Sequence, residues 1–228
     1  MSPSDVYESE PPEQEYDSLR EPLWPLLESC RGSLTQLTIF SRALWEFPIH
    51  TLQGLEQLSI YSATNLSNTT LLVHHCARLK SLSVQIDIEN AASQFYAVLA
   101  AHPKALPNLA RFKLHTTEIQ ASESDMESLA EFISEKKKLR CLDCSSHSHT
   151  VEGMQPLLRV LRSLPCLEVL GLDLHCAVVT QELYQALKRA LPEGLTALRL
   201  DFGYDDYADE VPEDYSLVRT SRRSHTHD

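Results

Sequence analysis

Leu79-Lys80-Ser81-Leu82-Ser83-Val84-Gln85, Leu109-Ala110-Arg111-Phe112-Lys113-Leu114-His115 and Leu139-Arg140-Cys141-Leu142-Asp143-Cys144-Ser145 repeat one pattern at intervals of 30 residues. An apolar residue stands first, fourth and sixth in each stretch, and mostly polar residues fill the other places. The fourth and sixth positions lie two apart, so on an extended chain their side chains leave the same face. The third, fifth and seventh leave the opposite one. Each stretch predicts a short strand with one core face and one wet face.

The same spacing recurs at Leu34-Leu37-Ile39, Leu55-Leu58-Ile60, Leu167-Leu170-Leu172 and Leu195-Leu198-Leu200, giving seven triplets with steps of 21, 24, 30, 30, 28 and 28 residues. A triplet held constant across unequal steps is the mark of a repeat protein, and these steps fall near the range of leucine-rich repeats. Helical spacing is predicted between the triplets, over 70–77, 91–101, 125–136, 154–163 and 180–191, with a further helix near 23–29. Leu129, Phe132 and Ile133 form one such stripe, and Leu157, Leu158 and Leu161 another. Asp125 and Thr180 stand where N-caps are expected, and Pro192 and Gly194 where the last helix must stop.

A unit of strand, loop, helix and loop has two apolar faces that it cannot close by itself, and stacking units buries both. The expected architecture is an α/β leucine-rich repeat solenoid, a horseshoe with a parallel sheet on the concave side and helices on the convex side. It should hold about seven irregular repeats over residues 22–202. A doubly wound sheet also alternates strands and helices, but its strands are buried on both faces. Here Thr38, Ser59, Ser83, Lys113 and Asp143 interrupt the aliphatic runs.

The stretch Asn65-Leu66-Ser67-Asn68-Thr69-Thr70-Leu71-Leu72-Val73-His74-His75-Cys76-Ala77-Arg78-Leu79 resembles the cysteine-containing repeat of F-box leucine-rich proteins, with Cys76 three residues before the next leucine. Leu106-Pro107-Asn108-Leu109 and Leu164-Pro165-Cys166-Leu167 look like the proline variant of that junction, and Cys30 before Leu34 is a looser match. The unequal steps are similar to those of fungal F-box proteins and of the ribonuclease-inhibitor-like superfamily. The resemblance implies a substrate- or partner-recognition module, with ubiquitin-ligase components among its partners, or a stand-alone interaction protein of the ribonuclease-inhibitor-like kind. Two departures stand beside it. The turn after each strand carries Arg42, Ala63, Asp87, Thr117, His147, His175 and Gly203 in place of a recurring Asn or Cys, so loop geometry should vary. No N-terminal helical segment matches an F-box.

The formal charge of −12 belongs to the ends. Residues 1–21 hold seven acids against Arg20, residues 201–214 hold seven acids and no base, and residues 22–200 hold 17 acids and 16 bases. A nearly neutral body argues against nucleic acid as a partner. With 43% hydrophobic and 23% charged residues and no window of 18 apolar residues, the chain reads as a cytoplasmic or nuclear protein, not held in a membrane, and as a monomer. Its six cysteines are expected as thiols. The segments 1–21 and 203–228 lack apolar periodicity and are expected to be disordered tails, with Tyr204, Tyr207 and Val211 a possible cap on the last repeat.

No enzyme chemistry is expected. There is no Gly-rich phosphate loop or nucleophile elbow. Cys141, Cys144, His147 and His149 have zinc-like spacing, but Cys144 should face the core and Cys141 the wet face, so no metal or cofactor is assigned. His74 and His75 are adjacent on a helix and diverge by about 100°. The Lys136-Lys137-Lys138 run is expected as a solvated helix end.

Function is expected on the wet face, where a rigid sheet holds the side chains in files. Phe40 and Tyr61 should stack at one end. Arg111, Lys113 and His115 form a basic row in the middle. Asp143, Asp173 and Asp201 follow, with Arg199 among them. Aromatic anchors beside ordered opposite charges suit a protein partner. The bland alternative is that Arg111 and Lys113 merely neutralise Asp143.

Overall fold

Leu58, Leu82, Phe112, Leu142 and Leu170 stand opposite one another across consecutive strands, and every strand pairing in which they take part is parallel. A computed structural model describes residues 24–40, 52–63, 69–87, 89–116, 122–146, 153–175 and 181–203. A helix α1 over 24–30 precedes β1 (Gln36–Ile39) and β2 (Gln57–Ala63). Then come α2 (Thr69–His75), β3 (Ser81–Ile86), α3 (Glu89–Ala101), β4 (Arg111–Thr116), α4 (Glu123–Ser134) and β5 (Cys141–Ser146). The last described elements are α5 (Gln155–Leu161), β6 (Val169–His175), α6 (Gln181–Ala190) and β7 (Ala197–Gly203). The strands form one sheet in chain order, β1 to β7.

A backbone ladder fixes the register where each strand begins. Thr35, Glu56, Lys80, Ala110, Arg140 and Glu168 each offer a carbonyl that accepts two N–H groups from the following repeat, at 2.8–3.1 Å. Each of these is the second residue of its pattern. The ladder uses no side chain, so it tolerates threonine, glutamate, lysine, alanine and arginine alike.

Alternation along the strands then separates the faces. In β3 and β4 the residues Leu82, Val84, Ile86, Phe112, Leu114 and Thr116 are buried, and those between them are partly or fully exposed. The buried face packs on the helices, through Phe95, Tyr96 and Leu99 of α3, Leu129, Phe132 and Ile133 of α4, and Leu157, Leu158 and Leu161 of α5, in one continuous core. Helices pack about 8–10 Å apart and strands about 4.8 Å, so the helical side of such a stack is the longer one and the sheet lines its inner side.

Three local expectations are corrected. Helix α4 begins after Ser122, not at Asp125. The Ser122 hydroxyl accepts from the Asp125 N–H at 3.1 Å, and the Asp125 carboxylate accepts from the Ser122 N–H at 3.0 Å, a reciprocal capping box. Lys136 is not solvated. It is 3% exposed, donates to the carbonyls of Pro103 and Ala105, and lies 3.8 Å from the centre of the Phe132 ring. Strand β7 runs to Gly203, one residue past the expected boundary. Leu198 is 44% exposed although its equivalents on β2 to β6 are buried, because β7 is the last strand of the described sheet. Arg42, Thr117, His147, His149, Thr180 and the residues of both proposed tails, other than Gly203, lie outside the described residues.

Candidate functional site

The open face of the sheet is built in three files set by the register. The first runs Gln36, Gln57, Ser81, Arg111, Cys141, Val169 and Ala197. The second runs Thr38, Ser59, Ser83, Lys113, Asp143, Gly171 and Arg199. Along the third, Gln85 stands opposite His115, His115 opposite Ser145, and Asp173 opposite Asp201. Phe40 and Tyr61 occupy the seventh pattern position at the other end of the sheet. A shift of register between Ile60 and Ala63 separates them from Gln85.

Phe40 and Tyr61 stack with ring centres 4.7 Å apart and planes 5° from parallel. Phe40 is 73% exposed and Tyr61 36% exposed, so the pair presents an apolar step to solvent. Both side chains leave the wet face, so the core cannot take them, and stacking is the burial left to them.

Charges in the middle are tied together across strands. The Asp143 carboxylate receives Lys113 Nζ at 3.5 Å and Arg199 at 2.8 Å, and Arg199 also reaches Asp173 at 3.4 Å. Arg199 spans two strand spacings because the residue between it and Asp143 is Gly171, which has no side chain to obstruct it. Burial pushes the Asp173 carboxyl up from the ordinary carboxylate range. Arg199 opposes that, Asp201 and Asp143 add to it, and His115 draws it down. His115 Nδ1 and the Ser145 hydroxyl are 2.7 Å apart. Among the described residues, Arg111 and Asp201 make no ion pair.

No protein-family model matches the sequence, and no curated protein matches it. Among solved structures, Rad7, in the yeast complex of Rad7 and Elc1, superposes with a TM-score of 0.52 at 18% identity, over 84% of this chain and 46% of that one. The fold is a leucine-rich repeat solenoid. An internalin from Listeria monocytogenes is also similar, with a TM-score of 0.47 at 18% identity over 81% of this chain and 52% of that one. So is the C-terminal domain of tropomodulin from Caenorhabditis elegans, with a TM-score of 0.41 at 10% identity over 72% and 90%. The chain spans about half the length of the internalin and of Rad7, 52% and 46% respectively.

Within the solenoid, Cys144 is buried and Cys141 partly exposed on the opposite side of β5, so the two thiols diverge. Among the described residues, no group of three or more His, Cys, Asp and Glu is placed to hold a metal ion. Cys76 follows α2 and is fully buried, and burial pushes its thiol up to about 11. His74 packs edge-on against His102, ring centres 4.1 Å apart, instead of converging with His75. No helix of the described residues is long and apolar enough to cross a membrane.

Gly171 and Ser145 also stand on the open face, at the fifth and seventh pattern positions of their strands, and are not among the residues singled out from the sequence. Gly171 carried a legible signal, being the glycine at a file position flanked by Asp143 and Arg199. Ser145 carried none, since its bond to His115 depends on rotamers that the spacing does not show.

Proposed function

We propose that this chain is a protein-recognition scaffold that receives its partner on the open face of the sheet, at Phe40, Tyr61, Arg111, Lys113, His115, Asp143, Asp173, Arg199 and Asp201. The observation that carries this reading is the Lys113–Asp143–Arg199 bridge. It holds long side chains in place on a rigid sheet before any partner arrives, which lowers the ordering cost of association. The stacked Phe40 and Tyr61 at the other end of the same face supply exposed apolar area of the kind that anchors an interface.

Within that role, the F-box-like junctions at Cys76, Pro107 and Pro165 favour a substrate-recognition module of a ubiquitin ligase, working in the cytoplasm or nucleus. The likeness of fold to Rad7, a protein solved in complex with Elc1, is in keeping with a module that works within an assembly. Affinity purification of the wild type beside an Arg111→Glu, Lys113→Glu variant tests both parts. The wild type should recover partners that the variant loses, with a cullin-ligase adaptor among the recovered proteins. Equal recovery by the two would remove the open face as the binding surface. One stable partner with no ligase component would favour the stand-alone ribonuclease-inhibitor-like reading.

A further inference from the structure

Resting on that reading, we infer that the open face takes an extended segment of a partner protein lying across the strands. That segment would carry a proline or aromatic residue over Phe40 and Tyr61, then an acid opposite Arg111, then a base opposite Asp201.

The order follows from what each part of the sheet offers. Over β1 and β2 the apolar step is exposed, and the charges of the open face begin only at β4. An aromatic or proline ring gains contact there, and an acidic side chain gains no partner. On β4, Arg111 is exposed and makes no ion pair among the described residues, while Lys113 next to it is held by Asp143 at 3.5 Å. The opposite end is acidic: Asp201 lies beside Asp173, whose carboxylate already engages Arg199. Asp201 is therefore the carboxylate left for an incoming cation.

The segment is extended because of what lies between these points. The files over β1 to β3 are amides and hydroxyls, among them Gln36, Thr38, Gln57, Ser59 and Ser83. Such groups match an extended backbone, which leaves its N–H and C=O groups free, whereas a helix has satisfied its own. Arg111 stands four positions along its strand, about 13 Å, from the file of Tyr61 and Asp201, a gap that its long side chain and that of an incoming glutamate close together. Across the sheet, with strands about 4.8 Å apart, Tyr61 to Arg111 is two spacings, about 10 Å, and Arg111 to Asp201 is three, about 14 Å. At about 3.3 Å per extended residue, these distances correspond to steps of three and four residues.

The test uses the full chain and an array of synthetic peptides. Tryptophan or proline, glutamate and arginine occupy positions 1, 4 and 8 of one set; a second set exchanges glutamate with arginine, and a third replaces both with glutamine. The first set should bind roughly tenfold or more tightly than the second. An Arg111→Glu, Asp201→Arg chain should invert that preference, and a Phe40→Ala, Tyr61→Ala chain should lose its dependence on position 1. Equal binding of the two charge orders, or no binding to any set, overturns the inference. If the array fails while the Arg111→Glu, Lys113→Glu variant still loses cellular partners, only this inference falls. If that variant keeps them, the open-face reading falls as well.

Discussion

Arg199 and Asp143 are bonded at 2.8 Å although a whole strand lies between them. The intervening residue is Gly171, and a Cβ placed there would press on Asp143 Oδ1 and stand 3.0 Å from its Cγ and 3.5 Å from Arg199 Nε. A Gly171→Val chain should therefore separate the ion pair. Arg199 is exposed and Asp143 stands at the solvent-facing surface of the sheet, so screening holds the pair to about 1 kcal/mol or less, and valine suits a strand better than glycine. Stability should change by less than about 1 kcal/mol, but the coupling between Asp143→Ala and Arg199→Ala in a double-mutant cycle should disappear. Coupling that survives in the valine background would refute the passage over Gly171.

Lys136, just past the end of α4, binds the loop that follows α3. Its ammonium donates to Pro103 and Ala105, and burial pushes its pKa down to about 8. Lys136→Met should cost about 1–3 kcal/mol at pH 7, because two carbonyls lose their donor. The unfolded chain binds more protons than the folded one between that lowered pKa and the ordinary 10.5. Wild-type stability should thus gain from this group as pH rises through that window, and the variant should gain nothing from it. Urea titrations at pH 7 and pH 9.5 should show the deficit of the variant widening; a deficit that shrinks would contradict the burial of the lysine.

Burial also orders the thiols. Cys166 is exposed, whereas Cys76 and Cys144 are buried and desolvation pushes both thiols up. Alkylation at pH 8 followed by mass spectrometry should label Cys166 at least about tenfold faster than Cys76 or Cys144, with the difference lost in denaturant. Early labelling of Cys144 would mean that β5 is not packed in the core.

The capping box of α4 predicts that Ser122→Ala costs about 1 kcal/mol in thermal or urea unfolding. Ser122→Thr should recover most of it, since threonine keeps the hydroxyl that accepts from the Asp125 N–H and donates to its carboxylate. Were alanine neutral, the helix would have to start elsewhere, closer to the Asp125 start that helical spacing alone suggests.

The strand register was legible residue by residue. Thr38 next to Ser59, Lys113 next to Asp143 and Arg111 next to Cys141 all follow from laying the triplets side by side. The helix that ends beside Lys136 was legible too, but the fate of the lysine was not. A cation after a helix is ordinarily solvated. Here the carbonyls of Pro103 and Ala105, more than 30 residues earlier, stand within 2.6 Å of its ammonium. The Ser122 cap could have been read from Ser122-x-x-Asp125, a capping pattern that the helical spacing alone passes over.

Periodicity by itself determined which residues of this protein face the core and which face outward. The strand places successive side chains on opposite sides, and only one side of each repeat can satisfy its apolar atoms. The connections among the outward residues were decided by tertiary structure alone. Arg199 binds Asp143 and leaves Arg111 and Asp201 without ion pairs among the described residues, because reach across a gap depends on side-chain length and on the empty space above Gly171. Neither of these is a property of any single repeat.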